Sequence, residues 1–267
     1  SYVAAPEAGD QVGSESGAAF NTTTTFVYFL HSIEVIAAQN AGAIVAFGDS
    51  VTDGTVSTGG VTISPDLSIV DRNQRYPDFL ARRLALAGLG DRFSILNAGI
   101  AGNRLLSDAL VGFPRFGPSG LSRIDADVIA QTGATDVIVM LGSNDLGMAP
   151  PATADEVIAG LEQAIDRLHA AGLNVIVGTQ TPSFGVVIPG GHGLPYAVLF
   201  RQQINSWIKN ESEADGVIDF FAVLSDPANP DALNPLFDSG DHLHPNVAGY
   251  EAMANAIDLK LFRGVVR

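Results

Sequence analysis

The chain has 267 residues, with 14 basic and 29 acidic side chains and a formal net charge of −15. That length fits one large α/β domain, or a domain with a small appendage, and buries enough apolar surface to need no staple. A sequence pI near 4.4 leaves no basic footprint for nucleic acid or an anionic membrane surface. The absence of cysteine excludes thiol catalysis, disulfides and cysteine-rich metal sites.

Hydrophobic residues make up 46% of the chain, a globular composition. No apolar run approaches the roughly 18 residues that span a bilayer. The first residues, Ser-Tyr-Val-Ala-Ala-Pro, have neither the basic start nor the apolar core of a signal peptide. A start at Ser1 fits a mature or trimmed form, so a soluble, secreted protein is one expectation.

Residues 1–22, rich in Gly, Ser, Ala and Thr, read as loop or linker. Residues 23–37 are β-branched and aromatic, which predicts one or two strands. Together they suggest an N-terminal extension over 1–40, either a hairpin or the remnant of a small upstream β module, ahead of a main domain over 41–267.

From Ala43 the pattern becomes regular. Strands are predicted at 43–47, 93–97, 136–141, 174–178 and 217–221. Helices are predicted at 74–88, 121–131, 154–171, 196–210 and 246–261. The clearest helix carries Val157, Leu161, Ile165 and Leu168 on one face, with Gly172 just past its end. Strands apolar on both faces, alternating with amphipathic helices, imply a five-stranded parallel sheet in a three-layer α/β/α sandwich. Sites in such folds form at the carboxyl ends of the strands.

Three strand ends and one C-terminal turn carry unusual residues. They are Gly48-Asp49-Ser50, Asn97-Ala-Gly-Ile-Ala-Gly102-Asn103, Gly142-Ser-Asn144-Asp145 and Asp241-His-Leu-His244. Ser50 stands where a strand turns into a helix, exposing a hydroxyl at the top of the sheet. A serine hydroxyl needs a base to become a nucleophile. His244 can supply it, with Asp241 orienting the imidazole. The backbone N–H groups of Ser50 and Gly102 and the amide of Asn144 could serve a developing oxyanion.

These four segments, in this order, resemble the signature blocks of the GDSL-type, or SGNH, hydrolases, and the resemblance spans about residues 43–258. It implies Ser50 as nucleophile, Asp241 and His244 as the other triad members, and Ser50, Gly102 and Asn144 as oxyanion donors. It also implies a flavodoxin-like sheet of order 2-1-3-4-5 and no cofactor. Val51 stands where the four-letter motif has Leu. The N-terminal stretch looks like the tail of a β domain found upstream in some relatives.

Other readings compete at individual residues. Ser50 could be a plain helix cap, Gly102 a backbone requirement, and Asn144 and Asp145 turn residues. Asp145 stays an open supporting candidate. His242 and His244 could begin a metal site, but no His-Glu-x-x-His or second carboxylate cluster accompanies them. His169 reads as a solvated helix residue and His192, among glycines, as mobile and exposed. No Gly-x-Ser-x-Gly, phosphate loop or dinucleotide motif occurs.

Loops 104–120 and 181–197 are expected to shape a substrate pocket. Asp49, Arg104, Phe113, Phe116 and Phe184 stand as candidate substrate contacts, with surface solvation the competing reading for Arg104. The sequence reading is a serine-dependent carboxylic-ester hydrolase acting on short-chain acyl or acetyl esters of a small molecule or carbohydrate. An acyltransferase using the same acyl-serine, or a carbohydrate-binding module without turnover, are the alternatives.

Overall fold

The computed structural model describes residues 2–11, 13–23, 33–37, 40–55 and 72–263. Five parallel strands form the central sheet: β1 (Gly42–Gly48), β2 (Phe93–Gly99), β3 (Ala134–Met140), β4 (Asn174–Gly178) and β5 (Gly216–Ile218), in the order β2-β1-β3-β4-β5. Val45 aligns with Leu96 on one side and Val137 on the other. The expected fold class and strand order are therefore those of the molecule.

The near-continuous apolar strands divide between two cores by their two-residue period. Val45, Phe47, Val137, Val139, Val175 and Val177 face one layer, against α5 (Ala154–Ala170) and α6 (Pro195–Asn210). Ile44, Ala46, Ile138, Met140, Ile176 and Ile218 face the other, against α2 (Tyr76–Leu86) and α8 (Val247–Ala256). The start of α5 is fixed by reciprocal caps: the Thr153 hydroxyl accepts from the Glu156 N–H, and the Glu156 carboxylate accepts from the Thr153 N–H.

Four predicted elements differ. The strand expected at 217–221 ends at Ile218, because the Asp219 carboxylate accepts from the Ala222 N–H at 3.1 Å and starts α7 (Phe220–Leu224). The cap prevails over the β preference of Phe220 and Phe221. The helix expected at 121–131 is α3 (Gly120–Ile124) continuing into a π turn, Asp125–Ile129. The last helix stops at Ala256, and a separate 3₁₀ turn, Leu259–Leu261, starts at a cap made by Asp258. Of the strands expected at 23–37, Thr22–Thr23 pairs antiparallel with Tyr2–Val3 and 33–37 carries no regular structure. Residues 24–32, His31 among them, lie outside the described residues.

Two short helices interrupt the strand ends, α1 (Ser50–Asp53) after β1 and α4 (Ser143–Gly147) after β3. An antiparallel pair not foreseen in the sequence, β6 (Ser225–Asp226) with β7 (Asn229–Leu233), follows α7. No helix among the described residues is long and apolar enough to cross a membrane.

Candidate active site

The four segments singled out in the sequence meet at the carboxyl ends of β1, β2 and β3. Ser50 opens α1, and Asp49 precedes it as the cap, with its Oδ1 accepting from the Val51 N–H at 3.0 Å. Ser50 and His244, 194 residues apart, lie 2.9 Å from Oγ to Nε2. His244 Nδ1 faces Asp241 Oδ2 at 2.6 Å. The other carboxylate oxygen of Asp241 accepts from the Leu243 and His244 N–H groups at 2.9 and 2.8 Å. Burial works to raise the Asp241 pKa, but the bonds from the His244 ring and the two backbone donors outweigh it and hold it at about 2. Asp241 is thus a fixed anion, and a proton on Nδ1 leaves the Nε2 lone pair facing the Ser50 hydroxyl.

Ser50, Gly102, Asn144 and His244 all line one cavity of about 540 Å³. Gly102 needs its left-handed conformation, φ +78°, and a Cβ there would overlap the Phe116 ring. Asn144 is buried, and its Nδ2 donates to the Asn103 carbonyl at 2.9 Å. Asp49 Oδ2 lies 3.4 Å from the same nitrogen. Burial is the largest influence on Asp49 and raises its pKa to about 6 despite the Val51 N–H.

The candidate substrate contacts separate. Arg104, Phe113 and Phe116 line the Ser50 cavity, together with Leu110, Arg115 and Ile188. Phe113 and Phe116 stack with ring centres 5.6 Å apart, and the Arg115 guanidinium sits 5.1 Å from the Phe116 ring centre. Arg104 is buried, not solvated at the surface, and donates to the Ala149 carbonyl at 2.9 Å and to Ser107 Oγ at 3.2 Å. Phe184 instead borders a separate hollow with Asp226, Asp238 and His242. Asp49 lies beneath the site as a cap and does not line the cavity.

His192 corrects the sequence expectation. It is 2% exposed, its Nε2 is 3.2 Å from Asn144 Oδ1, and it lines the cavity. The neighbouring glycines give close packing rather than mobility: a Cβ at Gly193 would stand 2.9 Å from the Ser183 carbonyl oxygen and one at Gly190 2.9 Å from His192 Nδ1. His169, as expected, lies on a polar helix face, where Nε2 meets Asp215 at 2.9 Å. His242 pairs with Asp238 across one turn. Among the described residues no three His, Asp or Glu side chains converge in metal-binding geometry.

Two supporting groups were not legible as such. Arg123 stacks on Phe47, 4.1 Å from its ring centre, and donates to the Gly48 and Ala98 carbonyls and to Asn103 Oδ1. It ties the ends of β1 and β2 to the residue beside Gly102. Asn103 in turn donates to the Phe116 and Pro118 carbonyls, fixing the pocket loop. Nothing in the spacing of Arg123 marks it, since it falls in a stretch whose sequence reads as a plain helix.

The sequence profile of the GDSL-like Lipase/Acylhydrolase family matches residues 46–252. No curated protein gives a significant sequence match. Among solved structures, Est24, a carbohydrate acetylesterase from Sinorhizobium meliloti, is 18% identical with a TM-score of 0.62, over 80% of this chain and 95% of that one. The M. smegmatis aryl esterase is 18% identical with a TM-score of 0.58, over 81% and 96%. A GDSL-like lipase from Bacteroides thetaiotaomicron is 20% identical with a TM-score of 0.58, over 82% and 87%. At such identities the likeness is one of fold, whereas the profile covers most of the chain. The chain belongs to the GDSL-like lipase/acylhydrolase family, and its class of activity is that of a carboxylic-ester hydrolase.

Proposed function

We propose that the protein hydrolyses short-chain acyl or acetyl esters through an acyl-serine intermediate on Ser50. His244 Nε2 takes the Ser50 proton as Oγ attacks the ester carbonyl carbon. The tetrahedral oxyanion is received by the N–H groups of Ser50 and Gly102 and by one N–H of Asn144 Nδ2. One Nδ2 hydrogen of Asn144 is held by the Asn103 carbonyl at 2.9 Å, and the other, which has only a long 3.4 Å contact with Asp49, is the one offered to the oxyanion. His244 then protonates the departing alcohol. Water, deprotonated by His244, attacks the acyl-serine and releases the acid with Ser50 restored.

The observation that carries this reading is the unbroken line from Ser50 Oγ to His244 to Asp241, at 2.9 and 2.6 Å, opening on a cavity. A cavity of about 540 Å³ accepts a short acyl group together with a sugar or aryl alcohol. The stacked Phe113 and Phe116 offer a flat face to either, and Arg104 and Arg115 supply donors to oxygen-bearing substituents. Sugar acetates and aryl esters, the substrate classes in the names of Est24 and the M. smegmatis enzyme, are the first to test. The catalytic unit is assigned to residues 41–267, with 1–40 as an extension, in keeping with the profile match over 46–252.

The test is hydrolysis of p-nitrophenyl acetate, butyrate and octanoate, and of an acetylated sugar, by the parent and by Ser50→Ala. The expected result is activity greatest on the shortest chains and lost in the variant. Turnover that survives the substitution contradicts the mechanism, and acylated acceptor in place of free acid among the products would favour acyl transfer.

A further inference from the structure

We propose that His192 is a positioning residue for the oxyanion site, holding the Asn144 amide so that its N–H group faces the reacting carbonyl. The inference rests on the reading of Asn144 given above. An unrestrained carboxamide can turn over and present its oxygen, which would repel an oxyanion instead of stabilising it. Asn144 Nδ2 lies beside two acceptors, the Asn103 carbonyl and Asp49 Oδ2. Oδ1 therefore faces His192 Nε2 at 3.2 Å. An amide oxygen cannot donate, so the bond requires the proton on Nε2.

The surroundings hold His192 in that state. The ring is buried and Nδ1 has no hydrogen-bond partner among the described residues, which leaves Nε2–H as the only bonded position. Burial, reinforced by the charge of Arg201, lowers the ring's pKa to about 4, so the ring is neutral where an esterase works. The main chain is pinned as well. The His192 carbonyl accepts from Ser183 Oγ and from Arg201 Nη2, both at 2.8 Å, and the Gly191 N–H donates to the Gly147 carbonyl at 2.6 Å. Gly147, at the end of α4, has no side chain, and a Cβ there would overlap the imidazole. The helix that carries Asn144 is thus shaped to let His192 close over it.

His192→Leu keeps much of the volume and removes the N–H; His192→Gln places an amide N–H near the same point. In the folded, full chain His192→Leu is expected to lower kcat about 10-fold or more with KM nearly unchanged, because the lost contact acts on the transition state. His192→Gln should recover most of that loss. In an Asn144→Ala background, His192→Leu should add little, since its effect passes through the missing amide. If His192→Leu does not fold, Gly147→Ala, which keeps the imidazole and displaces it, should show the same fall in kcat.

Full activity in a folded His192→Leu protein, or in Gly147→Ala where that variant stands in, overturns the proposal. So does an equal loss in the Leu and Gln variants, or a loss that multiplies with Asn144→Ala. If Asn144→Ala alone has no effect, the oxyanion reading of Asn144 fails instead, and the two failures are distinct.

Discussion

Asp145 holds Leu105 by its main chain: one carboxylate oxygen accepts from the Leu105 N–H at 2.7 Å and the other from the Leu106 N–H at 2.9 Å. Asp145 follows Asn144 in α4, and Leu105 lies three residues past Gly102. Two of the three proposed oxyanion donors, Gly102 and Asn144, are therefore joined by a buried bidentate clamp. Burial is the largest influence on the Asp145 pKa and raises it, opposed by those two N–H groups.

Asp145→Asn should test the clamp. An amide can accept from one backbone N–H but turns its own donor towards the other, leaving a buried group unsatisfied at a cost of about 1–3 kcal/mol. The variant should melt below the parent and lose turnover as the Gly102 turn slackens. Thermal unfolding and initial rates on p-nitrophenyl acetate measure the two effects; unchanged values for both would make the clamp dispensable.

Phe116 packs where a Cβ on Gly102 would lie and forms one wall of the cavity. Phe116→Ala removes that wall. The expected outcome is a shift of kcat/KM towards longer acyl chains, with octanoate gaining relative to acetate, alongside a stability loss of about 3 kcal/mol or less because the residue is only partly buried. A chain-length profile identical to the parent's would place the acyl group elsewhere in the cavity.

Two carboxylates predict opposite pH effects on stability. Asp49 has a pKa of about 6 in the fold against 3.8 ordinarily. The folded chain thus binds the extra proton, and stability falls as pH rises through this window. Asp241, held at about 2, contributes stability that is complete above 3.8 and lost as pH falls towards 2. Asp49→Asn changes a local contact by an amount independent of pH. The gap in urea midpoint between variant and parent should therefore move in the variant's favour from pH 4 to pH 7. A gap that stays constant would mean that Asp49 titrates normally.

Much of this was legible in the sequence because parallel strands buried on both faces leave unbroken apolar runs such as Ala43–Phe47. The polar residues at their ends, including Ser50 and Asn144, then stand out. What escaped were features in which a tertiary contact outweighs local pattern. Phe220–Leu224 has strand-like side chains, yet the Asp219 cap makes it helical. His192 sits among glycines that suggest a mobile loop, yet those glycines admit close neighbours. Arg123 supports the ends of β1 and β2 from a helix whose spacing gives no hint of it. Phe184 follows β4 as a pocket residue should, but its loop turns it towards a different hollow.

The acyl-serine itself is the most direct test of the account. A brief reaction of the parent with p-nitrophenyl butyrate, quenched in acid and digested, should give a peptide containing Ser50 that is heavier by one butyryl group. The adduct should be absent in Ser50→Ala. Turnover with no adduct at Ser50 under any quench time, or an adduct on another residue that decays at the turnover rate, would contradict the mechanism.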